Sequence, residues 1–431
     1  MHLCDLPNDI LLLIVRQVYV LYHEAQYSIH DICYGISPDS REHTTIYTNL
    51  DFVSSVGCLH LVNRVNIEVK SDIEPFQWLD TMIQRMRAAR EQWDAVRTLH
   101  LDIDGRPFRS MDWDVIARST QGIPAALTAM FPRVQRLSFY SLAYDPAVDR
   151  VAGRVAAHYA DQLRTLRSGR VIVKLPGVVF RGLRDVSIRC AHKDRGELPH
   201  IDPTELRRLR LPSCPGDHSW AAFSADGDES QDIQFPRLRV LCLSSHQKPT
   251  TSWTDESKRK GRLHFPALKV LKVYCEDGVP HGLERGVFPK RIDRVDTAST
   301  SLTRLDASMN INLDAMVALI RRLPRLSSLR IRQVKAYDIP PGISVPEPGA
   351  DRLVEPISTT LKTVRITFDC DNKNPEPAVL TLKYLLLAVP SLSTISVYDI
   401  PGDPMDGFVE DHANQYPHLA RLRTNFHKLR C

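Results

Sequence analysis

The sequence of 431 residues has little glycine, no long hydrophobic run and no paired cysteine motif. Glycine occurs 19 times against 29 prolines, so glycine-rich loops that cradle phosphate groups are not expected. No run of about 18 consecutive apolar residues occurs, so we predict no membrane-spanning helix and no membrane partner. The nine cysteines include no CxxC pair and suit a reducing compartment. We therefore expect a cytoplasmic or nuclear protein.

The usual signatures of enzymes are also missing from the sequence. It contains no Gx4GK[ST], GxGxxG, GxSxG or HExxH motif, which are typical of nucleotide-binding proteins, serine hydrolases and zinc proteases. Its 16 histidines are scattered without the paired spacing of metal ligands. We therefore predict no catalytic residue, no cofactor and no metal, and expect that the protein is not an enzyme.

The overall charge is modest. Lys and Arg number 56 against 51 Asp and Glu, and a net charge of +5 is too dilute to indicate a general nucleic-acid-binding protein. Any basic surface must therefore be local.

One six-residue pattern, apolar-x-x-apolar-x-apolar, recurs along most of the chain. We number its residues from position one and call each occurrence a repeat. Apolar and other residues alternate at its last three positions, which predicts a short strand that buries one face. The twelve repeats begin at Val62, Val96, Val134, Leu183, Leu206, Leu238, Leu268, Leu302, Leu326, Leu361, Leu392 and Leu419.

Helices are predicted between the strands. Six repeats follow an apolar residue and a proline, as in Phe131-Pro132, and such a pair is suited to ending a helix just before a strand. Residues 76–93 and 313–323 carry apolar stripes with helical spacing. The predicted order is therefore strand, loop, helix and proline, repeated along the chain.

This pattern resembles the leucine-rich repeat L-x-x-L-x-L-x-x-N/C, which Leu206–Cys214 matches almost fully and Leu302–Asn310 matches apart from one alanine. The resemblance implies an α/β fold: a leucine-rich-repeat solenoid of short parallel strands alternating with helices. We expect about twelve irregular units over residues 62–431, preceded by a small helical segment at residues 1–61.

The amino-terminal segment carries a second resemblance. In Leu6-Pro-Asn-Asp-Ile-Leu-Leu-Leu-Ile14, the residues Leu6, Ile10 and Ile14 share one helical face, and Pro7 suits a first helical turn. This phrase is similar to the opening of the F-box, which binds the Skp-type adaptor of cullin–RING ubiquitin ligases. The second half of the F-box pattern is absent. The alternative is that this helix only caps the first repeat.

Together these features resemble divergent, fungal-type F-box/leucine-rich-repeat proteins with a degenerate F-box. The resemblance implies a substrate-recognition subunit of an SCF-type ligase. In such a subunit the repeats would bind a target protein, and the adaptor would be bound by Leu6, Pro7, Ile10 and Ile14. The alternative is a non-catalytic leucine-rich-repeat scaffold for protein–protein interaction, with no connection to a ligase.

The outward positions of the strands are rich in arginine. Positions three, five and seven of the twelve repeats hold twelve basic and four acidic residues, which predicts a concave face that binds an acidic or phosphorylated protein. Aromatic residues are few among them, so nucleic acid is not the expected partner. The residues predicted to contact the partner are Arg208, Arg210, Arg330, Arg332, Arg365, Arg189 and Arg304.

Overall fold

The structure is a computed structural model that describes part of the chain. The described residues are 31–35, 64–69, 94, 96–103, 122–140, 146–172, 177–189, 199–211, 222–223, 232–245, 263–275, 301–308, 313–335, 345–347, 353–369, 376–398 and 407–427.

The described residues form short strands and a smaller number of helices. The strands are β1 Asp31–Gly35, β2 Arg64–Val69, β3 Thr98–Ile103, β4 Arg136–Tyr140, β5 Thr165–Ile172, β6 Val179–Phe180, β7 Asp185–Arg189, β8 His200–Ile201, β9 Arg208–Leu211, β10 Ile233–Gln234, β11 Val240–Ser245, β12 Leu263–His264, β13 Val270–Cys275, β14 Arg304–Ser308, β15 Ser328–Lys335, β16 Thr363–Asp369, β17 Thr394–Tyr398 and β18 Arg423–His427. The helices are α1 Ile123–Met130, α2 Pro146–His158, α3 Leu313–Arg322, α4 Glu376–Ala388 and α5 Phe408–His412.

The chain divides into two compact units. The first unit contains Met1–Asp202 and His218–Gly227, and the second contains Pro203–Asp217 and Asp228–Cys431. In the first unit, β1, β2, β3, β4, β5 and β7 lie side by side in that order, and each neighbouring pair is parallel. Strands β6 and β8 form a separate parallel pair. Helices α1 and α2 belong to this unit.

The second unit repeats the same arrangement over more strands. Strands β9, β11, β13, β14, β15, β16, β17 and β18 lie side by side, and every neighbouring pair is parallel. Strands β10 and β12 pair separately. Helices α3, α4 and α5 lie between successive strands in the chain. The prediction of an α/β protein with short parallel strands that alternate with helices is confirmed at this level.

The core follows the six-residue pattern. Positions one and four are buried in the repeats whose side chains are described, as with Leu238 and Leu241, except that Leu422 of the last repeat is half-buried; position six is buried in most of them. A strand sends alternate side chains to opposite faces, so the two apolar residues of each strand point into the same interior. In many repeats the residue three places before position one is buried as well, as Phe131, Phe235, Phe265, Leu323 and Val389 show.

The elements that precede these buried residues differ between repeats. Helices α1, α3 and α4 end next to Phe131, Leu323 and Val389, so the prediction that the apolar residue and its proline end a helix is confirmed there. At Phe235 and Phe265 the prediction of a helix is wrong, because each phenylalanine directly follows a strand of two residues, β10 or β12. The two rings stack with their centroids 4.9 Å apart.

Backbone hydrogen bonds join each strand start to the preceding repeat in the same way. The N–H groups of Lys269 and Val270 both donate to the carbonyl oxygen of Arg239 at 2.9 Å. The same two positions make the equivalent pair of bonds in the repeats that begin at Val134, Leu183, Leu238, Leu302, Leu326, Leu361 and Leu392. Each new strand is thereby held at a fixed register on its predecessor.

Three strands depart from the predicted repeats. Thr165 pairs with Arg136 and Asp185, so a repeat that begins at Leu163 was missed; its position six is Ser168, which breaks the apolar pattern. Strand β1 lies within residues 1–61 and pairs with β2, outside any predicted repeat. In the last repeat the strand begins two residues late, because Leu419–Arg421 form a 3-10 turn. Of the two predicted helices, α3 is confirmed, and residues 76–93 lie outside the described residues.

Candidate protein-interaction face

The candidate site is the polar face of the second unit. We define the polar face as the side chains at positions three, five and seven of β9, β11 and β13–β18, opposite the buried fourth and sixth positions. Parallel pairing places equal positions of neighbouring strands side by side, so the face consists of rows that run across the strands. Neighbouring residues in a row are about 4.8 Å apart.

The row at position three changes character along the sheet. It begins with Arg208, Val240, Val270 and Arg304, and the strand register pairs each of these residues with the next. Both arginines are exposed and both valines are half-buried. The row continues with Ser328, Thr363, Thr394 and Arg423.

The row at position five contains the only carboxylate among the described residues of these rows, Asp306. Asp306 lies between Lys272 and Arg330 in the register and is 2% exposed. An Arg330 Nη1 atom lies 3.8 Å from Asp306 Oδ2, while the Arg330 side chain stays 34% exposed. The guanidinium of Arg330 is therefore partly neutralised from within the face and is oriented toward Asp306.

Arg365 is placed differently from Arg330, although the two are paired across β15 and β16. Arg365 is exposed, and its guanidinium carbon lies 6.0 Å from the centre of the Tyr398 ring. That distance is at the outer limit of a cation–π contact, so the ring orients Arg365 without neutralising its charge. Arg365 can still bind an external anion.

The predicted partner-binding residues do not form one group. Arg208, Arg210, Arg304 and Arg365 are exposed on the polar face of the second unit. Arg330 is on the same face and is paired with Asp306. Arg332 pairs with Thr367 beside an irregularity in β15. Arg189 belongs to the first unit, where it ends β7 and pairs with Ile172.

In the last repeat, the positions predicted for two basic residues were wrong: Arg421 was expected at position three and Arg423 at position five. Arg421 lies in the 3-10 turn and not on a strand, and Arg423 occupies position three because it pairs with Thr394. The missed repeat at Leu163 adds Arg167 at position five in the first unit. Its Nη2 atom lies 2.9 Å from Asp185 Oδ2, so this arginine is neutralised locally. A search that allowed serine at position six would have found it.

The predicted adaptor contact cannot be placed on the structure. Leu6, Pro7, Ile10 and Ile14 lie outside the described residues. The adaptor contact therefore stays a prediction from the sequence.

Chemical groups other than the arginines give no second candidate within the described part of the chain. There, no cluster of three or more His, Cys, Asp or Glu side chains could hold a metal ion. Burial raises the pKa of the Tyr159 phenol well above its usual value. Tyr159 is fully buried, so its phenol stays protonated in the core.

No described helix is long and apolar enough to cross a membrane. Comparison of the chain with protein-family models and with curated proteins finds no match.

Proposed function

We propose that the chain is a leucine-rich-repeat solenoid without catalytic activity, and that it binds an acidic or phosphorylated protein segment on the polar face of the second unit. The observation that carries the proposal is the set of exposed arginines, Arg208, Arg210, Arg304 and Arg365, on strands locked in one parallel register. Their guanidinium groups suit bidentate recognition of carboxylate or phosphate.

The repeat geometry supports the solenoid part of this proposal. The described repeats before the last one bury positions one and four, and most of them join the next strand through the same pair of backbone hydrogen bonds. A surface built from equivalent positions of successive repeats is the extended kind of surface that solenoid proteins use for binding.

Charge reversal tests the binding face. The variant changes Arg208, Arg210, Arg304 and Arg365 to Glu; Arg330 is left intact because a glutamate there would face the buried Asp306. The probes are short fluorescent peptides rich in glutamate, with and without phosphoserine, titrated with the full chain at low and high salt. We expect the affinity to fall by about tenfold or more in the variant, and to fall with salt in the unmodified chain.

The control reverses four exposed arginines away from the polar face, Arg133, Arg154, Arg181 and Arg325. It makes the same change in net charge, so an equal loss of binding in both variants would show that only overall charge matters. Binding that does not depend on salt would also contradict the proposal.

A narrower form of the proposal makes the protein the substrate-recognition subunit of a cullin–RING ubiquitin ligase of the SCF type. Its support is the sequence phrase from Leu6 to Ile14 and the combination of that phrase with the repeats. Residues Leu6, Pro7, Ile10 and Ile14 would contact the Skp-type adaptor. Without that contact, the protein is a scaffold for protein–protein interaction with no connection to a ligase.

A pull-down with a purified Skp-type adaptor separates these two forms. We expect the full chain to retain the adaptor, and the double variant Leu6→Asp and Ile10→Asp to lose it while still binding acidic peptides. If the unmodified chain does not bind the adaptor, the ligase assignment fails and the scaffold remains.

A further inference from the structure

The two valines of the polar face are unusual in their position. Position three of the repeats with described strands is polar or charged everywhere except in β11 and β13, where it is Val240 and Val270. The polar and charged residues at this position are Arg64, Thr98, Arg136, Thr165, Asp185, Arg208, Arg304, Ser328, Thr363, Thr394 and Arg423.

Val240 and Val270 are also direct neighbours. They pair across β11 and β13, and both side chains are half-buried in a row whose other members are polar or charged. Threonine has the same branched shape and the same preference for strands, and it serves at this position in β16 and β17. A need for strand formation alone therefore does not account for two adjacent aliphatic side chains that remain open to solvent.

Basic residues flank the valine pair on both sides. The register gives the order Arg208, Val240, Val270, Arg304 across four neighbouring strands. Both arginines are exposed. The next row on the same four strands holds Arg210, Cys242, the half-buried Lys272 and the buried Asp306. At position three the patch is thus a small apolar centre between two positive flanks.

We propose that this patch binds a protein segment that carries one aliphatic side chain between two acidic ones. The patch consists of Arg208, Val240, Val270 and Arg304. This inference rests on the proposed function, since it assumes that the polar face binds acidic protein segments. It adds the requirement for an apolar anchor and a fixed spacing. Charge complementarity selects the acidic flanks, and the valine pair selects the aliphatic centre.

The strand spacing sets the spacing of the ligand. Three intervals of about 4.8 Å separate Arg208 from Arg304, which makes roughly 14 Å. An extended segment that runs across the strands advances about 3.3 Å per residue, so about four residues cover this distance. Alternate side chains of an extended segment point the same way. The predicted motif is therefore acidic-x-aliphatic-x-acidic, with the outer residues at i and i+4.

Three synthetic peptides of equal length and equal net charge test the motif on the full chain. The first has glutamates at i and i+4 with leucine at i+2, the second replaces that leucine by glycine, and the third places the glutamates next to each other. Binding is followed by fluorescence polarisation of labelled peptides. We expect the leucine peptide to bind about tenfold more tightly than the glycine peptide, since the anchor buries an aliphatic side chain.

Protein variants assign that preference to the patch. The double variant Val240→Thr and Val270→Thr places at β11 and β13 the residue found at the same position of β16 and β17. It should bind the leucine and glycine peptides nearly equally. The matched control, Thr363→Ser and Thr394→Ser, alters half-buried residues of the same row and should keep the tenfold preference of the unmodified chain.

A second pair of variants tests the acidic flanks. Arg304→Glu should weaken binding of the leucine peptide by about tenfold. Arg423→Glu makes the same charge change at an exposed arginine of the same row outside the patch, and should leave the affinity within about twofold.

The outcomes separate this inference from the proposed function. Equal, salt-dependent binding of all three peptides would overturn the motif and leave acidic binding by the face intact. If the control variant Thr363→Ser and Thr394→Ser also loses the preference for the leucine peptide, the assignment of that preference to Val240 and Val270 is overturned. Failure of all three peptides to bind at any salt concentration would overturn the motif and the proposed function together.

Discussion

In the two halves of the second unit, different elements precede the buried apolar residue that introduces a repeat. In residues 203–275, two-residue strands precede the buried Phe235 and Phe265, whose rings stack. In residues 301–398, helices α3 and α4 precede the smaller Leu323 and Val389. The strands of both halves keep one parallel register. Where a repeat is introduced by an apolar residue and a proline, the apolar residue is therefore buried whether a strand or a helix precedes it.

The start of the strands differs between the halves as well. In the later half, hydroxyl groups reinforce the backbone contacts: Ser301 Oγ donates to the Leu268 carbonyl at 2.7 Å, and Ser391 Oγ donates to the Leu361 carbonyl at 2.9 Å. Ser327 and Ser393 make the equivalent bond one position further along. In the earlier half, the corresponding place before Leu206 is Glu205, which pairs with Arg237 of the next repeat. The residue directly before position one thus makes different contacts in the two halves.

The largest expected effect concerns the aromatic anchors of the earlier half. Phe265→Ala should lower the free energy of unfolding by about 3–5 kcal/mol, because it removes a fully buried ring that stacks on Phe235. Urea denaturation followed by circular dichroism measures this change. The exposed Arg239→Ala in the same half should stay within about 0.5 kcal/mol of the unmodified chain.

The same experiment on the later half sharpens the comparison. Leu323→Ala should cost about 2–5 kcal/mol, since Leu323 is buried at the equivalent place after α3. If Phe265→Ala is nearly neutral while Leu323→Ala is costly, the phenylalanines are not the equivalents of the residues that follow the helices.

A smaller effect is expected at Asp306, the buried carboxylate of the polar face. Asp306→Ala removes the partner of Arg330 and should destabilise the protein by about 1–3 kcal/mol, a value kept low because Arg330 is partly exposed to solvent. Arg365→Ala, at the neighbouring exposed arginine, should change stability by less than about 0.5 kcal/mol. Equal costs would show that Asp306 does not organise the face.

The sequence predicted the interior of the fold well because burial follows a local pattern. Leu206, Leu209 and Leu211 are spaced so that all three point inward, and this spacing can be read without knowing any neighbour. The pattern failed where local chemistry differed from it. Ser168 concealed the repeat at Leu163, and the 3-10 turn at Leu419–Arg421 moved the last strand by two residues.

The candidate site was less predictable because it depends on which residues become neighbours across strands. Asp306 and Arg330 are 24 residues apart in the sequence, and only the register of β14 and β15 brings them together. In the sequence, Arg330 and Arg365 look equivalent, because both are arginines at position five of their repeats. Their different environments, one paired with a buried carboxylate and one exposed beside Tyr398, follow from the strands on either side.

The hydroxyl bonds of the later half give the next prediction. Ser391→Ala removes the hydroxyl that donates to the Leu361 carbonyl and should cost about 0.5–1.5 kcal/mol in urea denaturation. The exposed Thr424→Ala, which changes a hydroxyl residue on the last strand, serves as the reference and should be within about 0.5 kcal/mol of neutral.

The smallest expected effect comes from transferring this feature to the earlier half. Ala267 directly precedes Leu268, so it occupies the same place in its repeat as Ser301 and Ser391 do in theirs. In the register of β11 and β13, the carbonyl oxygen that a hydroxyl at residue 267 would reach is that of Leu238. Ala267→Ser should therefore stabilise the protein by about 0.5–1 kcal/mol, if the strand start has the same geometry in both halves.

The variant Ala267→Gly tests whether any gain comes from the hydroxyl. It lacks a donor and should destabilise the protein by about 0.5–1 kcal/mol through the greater freedom of the unfolded chain. A loss of stability in Ala267→Ser as well would mean that the carbonyl of Leu238 is not placed like that of Leu268. The two halves would then differ in backbone geometry at the strand start, and not only in the side chains that occupy it.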